Sequence, residues 1–340
     1  MTHELINIIQ KARINQQLGI KCVLATVVHL TGSSYRKPGV RMLICENGVM
    51  IGAVSGGCVE NEIKRRASSV FDNGKPKVIS YDGRYRLGCE GVLHILIEPF
   101  NVSDSLFDNF EDVLNRRENY KIESQFEIGD DIIGQFGSTI YFGKKSFTFS
   151  KEFNPKNQDG LKLFSQILNP CFKLLIIGGE HDAVKLCEMA NLLGWVVDVI
   201  TSVKDPKELK DFPGAHSVDS QEPELLNVKI DKDTAIVLMT HNYALDLKYL
   251  VRLQKEEIMY LGVLGSAKRR EQLKNDLFNY SSDLNLDYLD SIYSPAGLNI
   301  GAITPEEIAL SILSEIMSVV RKKETVSLRE LNQRSNKRTN

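Results

Sequence analysis

The segment from Lys173 to Thr201 limits the folds open to this chain more than any other. K-L-L-I-I-G-G (173–179) is a short apolar run ending in glycines. Ala183, Leu186, Cys187, Ala190 and Leu193 then recur at helical spacing, Gly194 stops that helix, and W-V-V-D-V-I-T (195–201) is a second apolar run. Strand, helix and strand within about 30 residues make a βαβ unit with parallel strands. Further runs at Thr234–Met239 and Met259–Leu264 each lead into a helical pattern. The predicted fold class is therefore α/β: a C-terminal Rossmann-like parallel sheet with helices on both faces, plus an N-terminal α+β domain. The last helix is marked by Thr304 as N-cap, Pro305 at its first position and Glu307 closing a capping box.

The first half has a different texture. Residues 3–18 carry an amphipathic helical pattern, and Cys22–Leu30 reads as a buried strand. Val40–Glu46 and Val49–Ser55 read as two strands joined at Asn47-Gly48, a strong short hairpin signal. Helical spacing follows Gly56-Gly57, with Val59, Ile63 and Val70 inward, and Val78–Tyr81 and Val92–Ile97 read as strands. A chain of 340 residues exceeds what one core usually serves. The expected division is an N-terminal domain over 1–150, with its motifs in 1–99, a polar linker at 151–170, the Rossmann-like domain over 171–325 and a polar tail at 326–340.

Composition excludes some classes. A net charge of -2 gives no support for nucleic-acid binding, which usually shows a basic domain. The N-terminal residues have no apolar leader core, and no apolar run approaches the ~20 residues of a membrane helix. The expected location is the cytoplasm. The six cysteines (22, 45, 58, 89, 171 and 187) include no C-x-x-C pair, so free thiols are expected rather than a structural zinc site or disulfides.

Residues 31–60 hold the densest chemistry. A Gly/Ser loop with Ser33, Ser34, Arg36 and Lys37 precedes Arg41, and S-G-G-C (Ser55, Gly56, Gly57, Cys58) opens a helix. A helix start offers amide N–H groups and about +0.5 charge. One reading is a pocket for a phosphate-bearing ligand with a sulfur contact at Cys58. The other is a glycine turn, surface charges and a packed cysteine. Cys89 lies in a second glycine loop, L-G-C-E-G, near Arg84 and Arg86, which favour a thiolate.

The Rossmann turn is G-G-E-H-D-A (178–183). Gly178 and Ala183 match the ends of the G-x-G-x-x-G/A fingerprint, but Glu180 replaces the glycine that lets a pyrophosphate approach. The acid expected after the next strand is replaced by Thr201-Ser202. NAD(P) in its ordinary pose is therefore not expected. T-H-N (240–242, with His241), G-S-A-K-R-R (265–270) and S-P-A-G-L-N-I-G (294–301) fall where parallel strands end, which is where such sheets bind ligands. For His241 a capping or loop role competes with a ligand role. No Walker A, G-x-S-x-G, H-E-x-x-H or EF-hand motif is present.

G-S-S-Y-R-K-P-G-V-R-M-L, G-A-V-S-G-G-C-V-E-N-E-I and L-G-C-E-G-V-L-H-I-L-I-E-P resemble the N-terminal domain of the XdhC/CoxI family. L-L-I-I-G-G-E-H-D-A, V-L-M-T-H-N-Y-A-L-D, Y-L-G-V-L-G-S and P-A-G-L-N-I-G-A-I-T-P-E-E-I-A-L-S-I-L-S-E-I resemble its Rossmann-like domain. The resemblance implies a maturation chaperone for xanthine dehydrogenase-type molybdenum hydroxylases. Such a protein binds molybdenum cofactor, supports its sulfuration and inserts it into the apo-enzyme, without turnover of its own. Ser55, Gly56, Gly57 and Cys58 match the family's S-G-G-C, and Gly88 and Cys89 its L-G-C-x-G. The chain departs from the family at Gly179-Glu180 and at Thr201-Ser202.

The expected cofactor-binding set is Ser33, Ser34, Arg36, Arg41, Ser55, Gly56, Gly57, Cys58, Gly88, Cys89 and His241, with Cys58 and Cys89 as candidate molybdenum contacts. The expected partners are an apo molybdenum hydroxylase, a cysteine desulfurase and a second copy of the chain in a homodimer, with no nucleic acid and no membrane. The competing readings are an NAD(P)-dependent oxidoreductase on the Rossmann-like domain and a scaffold that binds a hydroxylase subunit and no ligand.

Overall fold

The structure is a computed structural model. It describes residues 2–33, 37–54, 57–82, 91–156, 160–280 and 286–331, with Cys58, Ala267, Lys274, Tyr280 and Leu286 described by their backbone alone. The chain divides into two compact units, Met1–Pro170 and Cys171–Asn340.

The first unit opens with α1 (Thr2–Gln17) and the strands β1 (Cys22–Thr31), β2 (Arg41–Cys45) and β3 (Met50–Gly52). The Asn47-Gly48 hairpin forms as expected, pairing Ile44 with Met50 and Met42 with Gly52. Next come α2 (Cys58–Asn73), β4 (Lys77–Asp82), β5 (Val92–Pro99) and α3 (Asp104–Arg116). The Ser103 hydroxyl caps α3 by accepting from the Leu106 amide. The unit ends with β6 (Tyr120–Phe126), β7 (Ile132–Ile133), β8 (Gly137–Phe142), β9 (Lys145–Thr148) and β10 (Lys162–Leu168).

Two sheets result, one in the order β3-β2-β1-β5-β4-β7 and one in the order β10-β6-β8-β9. Strand β1 is antiparallel to both neighbours, β2 and β5. It is buried from Cys22 to Val28, which explains its run of apolar and β-branched residues. Val23, Ala25 and Val27 pack with Val59, Ile63, Ala67 and Val70 of α2. Cys22 and Leu24 join Leu5, Ile8 and Ile9 of α1 and the aromatic residues of α3 and the smaller sheet.

The linker expected at 151–170 is not one. Within it, β10 pairs along its whole length with β6, from Lys162↔Phe126 to Leu168↔Tyr120, and completes the smaller sheet. The polar stretch before it hid the strand, and its outward Leu163 and Ile167 are exposed, so the alternation lacks an apolar face.

The second unit contains β11 (Lys173–Ile177), α4 (His181–Leu192), β12 (Val196–Thr201), β13 (Ser217–Ser220), β14 (Thr234–Leu238) and α5 (Tyr243–Leu253). It continues with β15 (Tyr260–Val263), α6 (Ala267–Tyr280), α7 (Leu286–Ser291), β16 (Ile292–Tyr293) and α8 (Pro305–Val320). Every pairing in its sheet is parallel. The order β13-β12-β11-β14-β15-β16 is the doubly wound arrangement with its reversal between β11 and β14. Residues of β11, β12 and β14 are buried toward both faces, against α4 and α8 on one side and α5 and α6 on the other. Thr304 caps α8 through its hydroxyl, and Glu307 bonds back to the Thr304 amide.

Polar groups lie inside the first unit. Glu98 of β5 is fully buried; its carboxylate accepts the Ser138 hydroxyl at 2.5 Å and the Ser138 amide at 2.8 Å. Burial raises this carboxyl to about 7, against the pull of Ser138 and of Arg41. Because the folded value lies above the ordinary 4.5, stability from this group is full below 4.5 and is lost as pH rises through about 7. Glu98→Gln keeps acceptor capacity for Ser138 without the charge. Urea unfolding at pH 5 and pH 8 should show the wild type losing about 1–3 kcal/mol more than the variant between the two. Equal losses would mean that Glu98 does not titrate in this range.

Candidate functional site

The strand register brings the motif-bearing loops to one edge of the larger sheet. Thr31, the last residue of β1, pairs with Val92, the first of β5, and Val92 also pairs with Asp82, the last of β4. On the other side of β1, Thr26 pairs with Arg41, the first residue of β2, and Met42 pairs with Gly52, the last of β3. The connections 32–40, 53–57 and 83–91 therefore all leave from the same edge, and the second of them leads into α2. The first and third touch: a Cβ on Gly91 would sit 2.5 Å from the Ser33 carbonyl oxygen.

At this edge Ser33 is exposed. Gly57 precedes α2 with φ 95°, a left-handed conformation that favours glycine, and a Cβ there would meet no atom of the described residues within 4 Å. Cys58 is the first residue of α2. Ser34, Arg36, Ser55, Gly56, Gly88 and Cys89, with Arg84 and Arg86, lie outside the described residues. The helix start is not wholly open to a ligand. Glu60, three residues on, accepts the Gly57 amide at 2.5 Å, so the protein's own carboxylate takes one of the N–H groups the sequence offers to an anion.

Arg41 does not belong to this surface. It is buried in β2, and its Nη1 donates to the Gly39 carbonyl at 2.9 Å and to Gln166 Oε1 of β10 at 2.7 Å. Burial lowers its guanidinium to about 10, countered by Tyr120 and Glu98. Alternation explains the correction: Arg41 shares the face of Leu43 and Cys45, which points into the core. Sequence reasoning also missed a histidine pair near the edge. His29 and His94 face each other across β1 and β5 with ring centroids 5.6 Å apart. The Ser80 hydroxyl lies 2.9 Å from His94 Nδ1 and the Thr31 hydroxyl 3.4 Å from Nε2. Burial, then the neighbouring His29, lowers the His94 pKa. Residues so far apart in sequence meet only through strand register, which no local pattern reveals.

The second unit has a crevice at the carboxyl ends of β11, β12 and β14. Gly178, Gly179, Glu180, Thr201, Ser202 and Asp205 line it, among others. Gly178 is obligatory, since a Cβ there would collide with the Met239 carbonyl oxygen. Glu180 is exposed at the N-cap of α4. No acid follows β12 directly, but Asp205 reaches the crevice wall and pairs with Lys207 at 2.7 Å. His241 has φ 53° and places Nε2 3.5 Å from Asp182 Oδ2 in the first turn of α4, so it has the charged partner that the sequence did not reveal.

Helices α5 and α6 and the loop after β14 are fastened together beside this crevice. Asp246 of α5 is buried; Oδ1 accepts the Thr240 hydroxyl at 2.6 Å and Oδ2 accepts Arg269 Nη2 of α6 at 2.5 Å. Arg269, in the G-S-A-K-R-R segment that the sequence places at a strand end, is thus a tie.

A model described as the XdhC and CoxI family matches residues 16–82, and one described as the XdhC Rossmann domain matches 174–316. The chain is 31% identical over 315 residues to a Bacillus subtilis protein named as a probable xanthine dehydrogenase subunit, covering 87% of this chain and 92% of that one. This chain belongs to the XdhC/CoxI family. It is also 26% identical over 306 residues to the molybdenum cofactor insertion chaperone PaoD of Escherichia coli, covering 88% and 84%. A crystal structure of a xanthine dehydrogenase from Bacillus halodurans superposes with a TM-score of 0.74 at 26% identity, covering 94% of this chain and 97% of that one. The family matches include Ser33, Ser55–Cys58 and His241, but neither reaches Gly88 and Cys89. Among the described residues, no helix is long and apolar enough to cross a membrane, and no group of three or more His, Cys, Asp or Glu could hold a metal ion.

The tie at Asp246 gives a direct test. Asp246→Ala leaves Arg269 without its partner and should cost the second unit about 3 kcal/mol in urea unfolding. Asp246→Asn should cost less, because it still accepts from Thr240. Equal and small losses in both would show that the tie contributes little.

Proposed function

We propose that this protein holds molybdenum cofactor and delivers it to an apo molybdenum hydroxylase of the xanthine dehydrogenase type, as a carrier without turnover of its own. The observation that carries this reading is that the strand ends flanking three motif-bearing segments, Thr31 and Arg41, Gly52, and Asp82 and Val92, lie at one edge of the larger sheet. The similarity over most of its length to a named insertion chaperone supports it.

The residues present fit such a ligand. Molybdenum cofactor joins a pterin, a dithiolene and a phosphate, and when bound in a client it supplies the redox chemistry. Among the described residues, nothing fills the space beside Gly57 at the start of α2. Phosphate is assigned to the amides further into that turn, since Glu60 holds the Gly57 amide. Cys58, where the helix dipole favours a thiolate, is assigned a soft contact to molybdenum or its sulfur. Ser33, Ser34, Arg36, Ser55, Gly56, Gly88 and Cys89 complete the proposed contacts, Cys89 as a second soft atom. Arg41 supports the sheet from behind and His241 stays with Asp182 in the second unit. Support for sulfuration, with a cysteine desulfurase as sulfur donor, and a two-fold homodimer complete the proposal.

Protein co-expressed with cofactor biosynthesis should carry molybdenum and pterin at near-stoichiometric levels and activate an apo-hydroxylase. Cys58→Ala should lower cofactor retention with a stability change under about 1 kcal/mol. If activation is the same with and without the protein, the carrier reading fails. If no pterin is retained, the protein is a scaffold.

For the crevice of the second unit, we propose that the Glu180 carboxylate keeps NAD(P) out of the ordinary pyrophosphate pose. Calorimetry with NADH should give binding weaker than about 1 mM, tightening in Glu180→Gly. Micromolar binding by the unaltered chain would instead favour an oxidoreductase.

A further inference from the structure

Two thiols of the first unit stand directly opposite each other in the core. Cys22 begins β1, Cys45 ends β2, and the register pairs them. The Cys22 carbonyl accepts from the Phe100 amide on the β5 side, and the Cys45 amide donates to the Val49 carbonyl on the β3 side. Neither group points across the β1–β2 gap, so this is a non-hydrogen-bonded pair, the type whose Cα atoms lie closest, about 4.5 Å apart. Their sulfurs are 3.1 Å apart. A disulfide accepts Cα separations of roughly 4.4–6.8 Å, so the bridge could form with small side-chain rotations and no shift of register.

We infer that Cys22 and Cys45 are an oxidisable dithiol that a hydroperoxide converts to a cross-strand disulfide. Cys45 attacks first. Either thiol can donate across the 3.1 Å contact; with Cys22 as the donor, the bond lowers the Cys45 pKa and raises that of Cys22. The Cys45 sulfur takes one peroxide oxygen as the O–O bond breaks, and the other oxygen leaves as hydroxide and becomes water. The Cys22 sulfur then displaces hydroxide from the Cys45 sulfenic acid, forming the S–S bond and a second water. Two thiols and one hydroperoxide yield one disulfide and two waters (one water and one alcohol for an alkyl hydroperoxide). Both side chains are nearly sealed, 5% and 1% exposed, so bulky disulfides such as oxidised glutathione are excluded in favour of a small oxidant. A cavity of about 610 Å³ has Cys22 in its wall, with Lys21, Phe71 and Val102, and offers that oxidant an approach. The bridge would close a loop from Cys22 to Cys45 that contains Ser33, Ser34, Arg36 and Arg41, and would lock β1 to β2 at the end opposite the candidate site.

The test uses the full chain, freed of reductant and treated with hydrogen peroxide. It is then alkylated in denaturant and digested without reduction. Mass spectrometry should find the Cys22 and Cys45 peptides joined, lighter by two hydrogens, in most molecules, with Cys187 still alkylated. In Cys22→Ala the same treatment should leave Cys45 as a sulfenic acid that dimedone traps. Full alkylation of both cysteines in the wild type after peroxide would overturn the inference, as would joining of either to Cys58, Cys89 or Cys171. The wild-type peptide map decides the matter even if the variant does not fold.

Discussion

Strand β1 is the member on which the first unit depends. It is bonded on both sides, to β2 and to β5, and buried along most of its length. Its registers decide where the motif loops leave the sheet. A slip of one residue against either neighbour would exchange the α2 face for the α1 face and send inward residues to the wrong core. It would also separate the ends of β1, β3 and β4, whose common edge is where Gly/Ser and Gly/Cys segments far apart in sequence begin. The irregularity between Val27 and His29 shifts the pairing with β5 without moving that edge, and it sets His29 beside His94.

The second unit uses a different device. Its parallel sheet reverses direction beside β11, and the reversal leaves a crevice whose floor needs Gly178 because the chain passes against the Met239 carbonyl. Above that floor the usual nucleotide features are rearranged. An exposed carboxylate stands at the helix start, and the acid that lines the wall, Asp205, comes from the loop beyond β12 and carries its own lysine. The fold keeps the architecture of a nucleotide domain while its charges are redistributed, so architecture alone does not assign the ligand.

Much of this was legible in the sequence where the signal is local. The capping box at Thr304 and Glu307, the Asn47-Gly48 hairpin and the βαβ unit from Lys173 each state their geometry within a few residues, and each forms. What was not legible depends on partners distant in sequence. Arg41 reads as a ligand-binding cation beside Arg36 and Lys37, but its place in β2 and a glutamine 125 positions away make it an interior group. Arg269 reads as one cation of a strand-end segment and is bound to Asp246. For the candidate site, the motif loops were visible and their shared edge was not, since only strand order creates it.

The place of β10 at the edge of the smaller sheet has a practical meaning for anyone dividing the molecule. The polar stretch near Asn154 and Pro155 looks like a natural cut, yet a cut there would carry β10 away with the second half. The first half would lose its pairings to β6 from Lys162 to Leu168 and the Gln166 acceptor of Arg41, and would expose an open strand edge that invites aggregation. A cut between Pro170 and Cys171 leaves each half with every strand it uses. Expression of the halves separately would therefore succeed or fail on a difference of about fifteen residues in where the chain is severed.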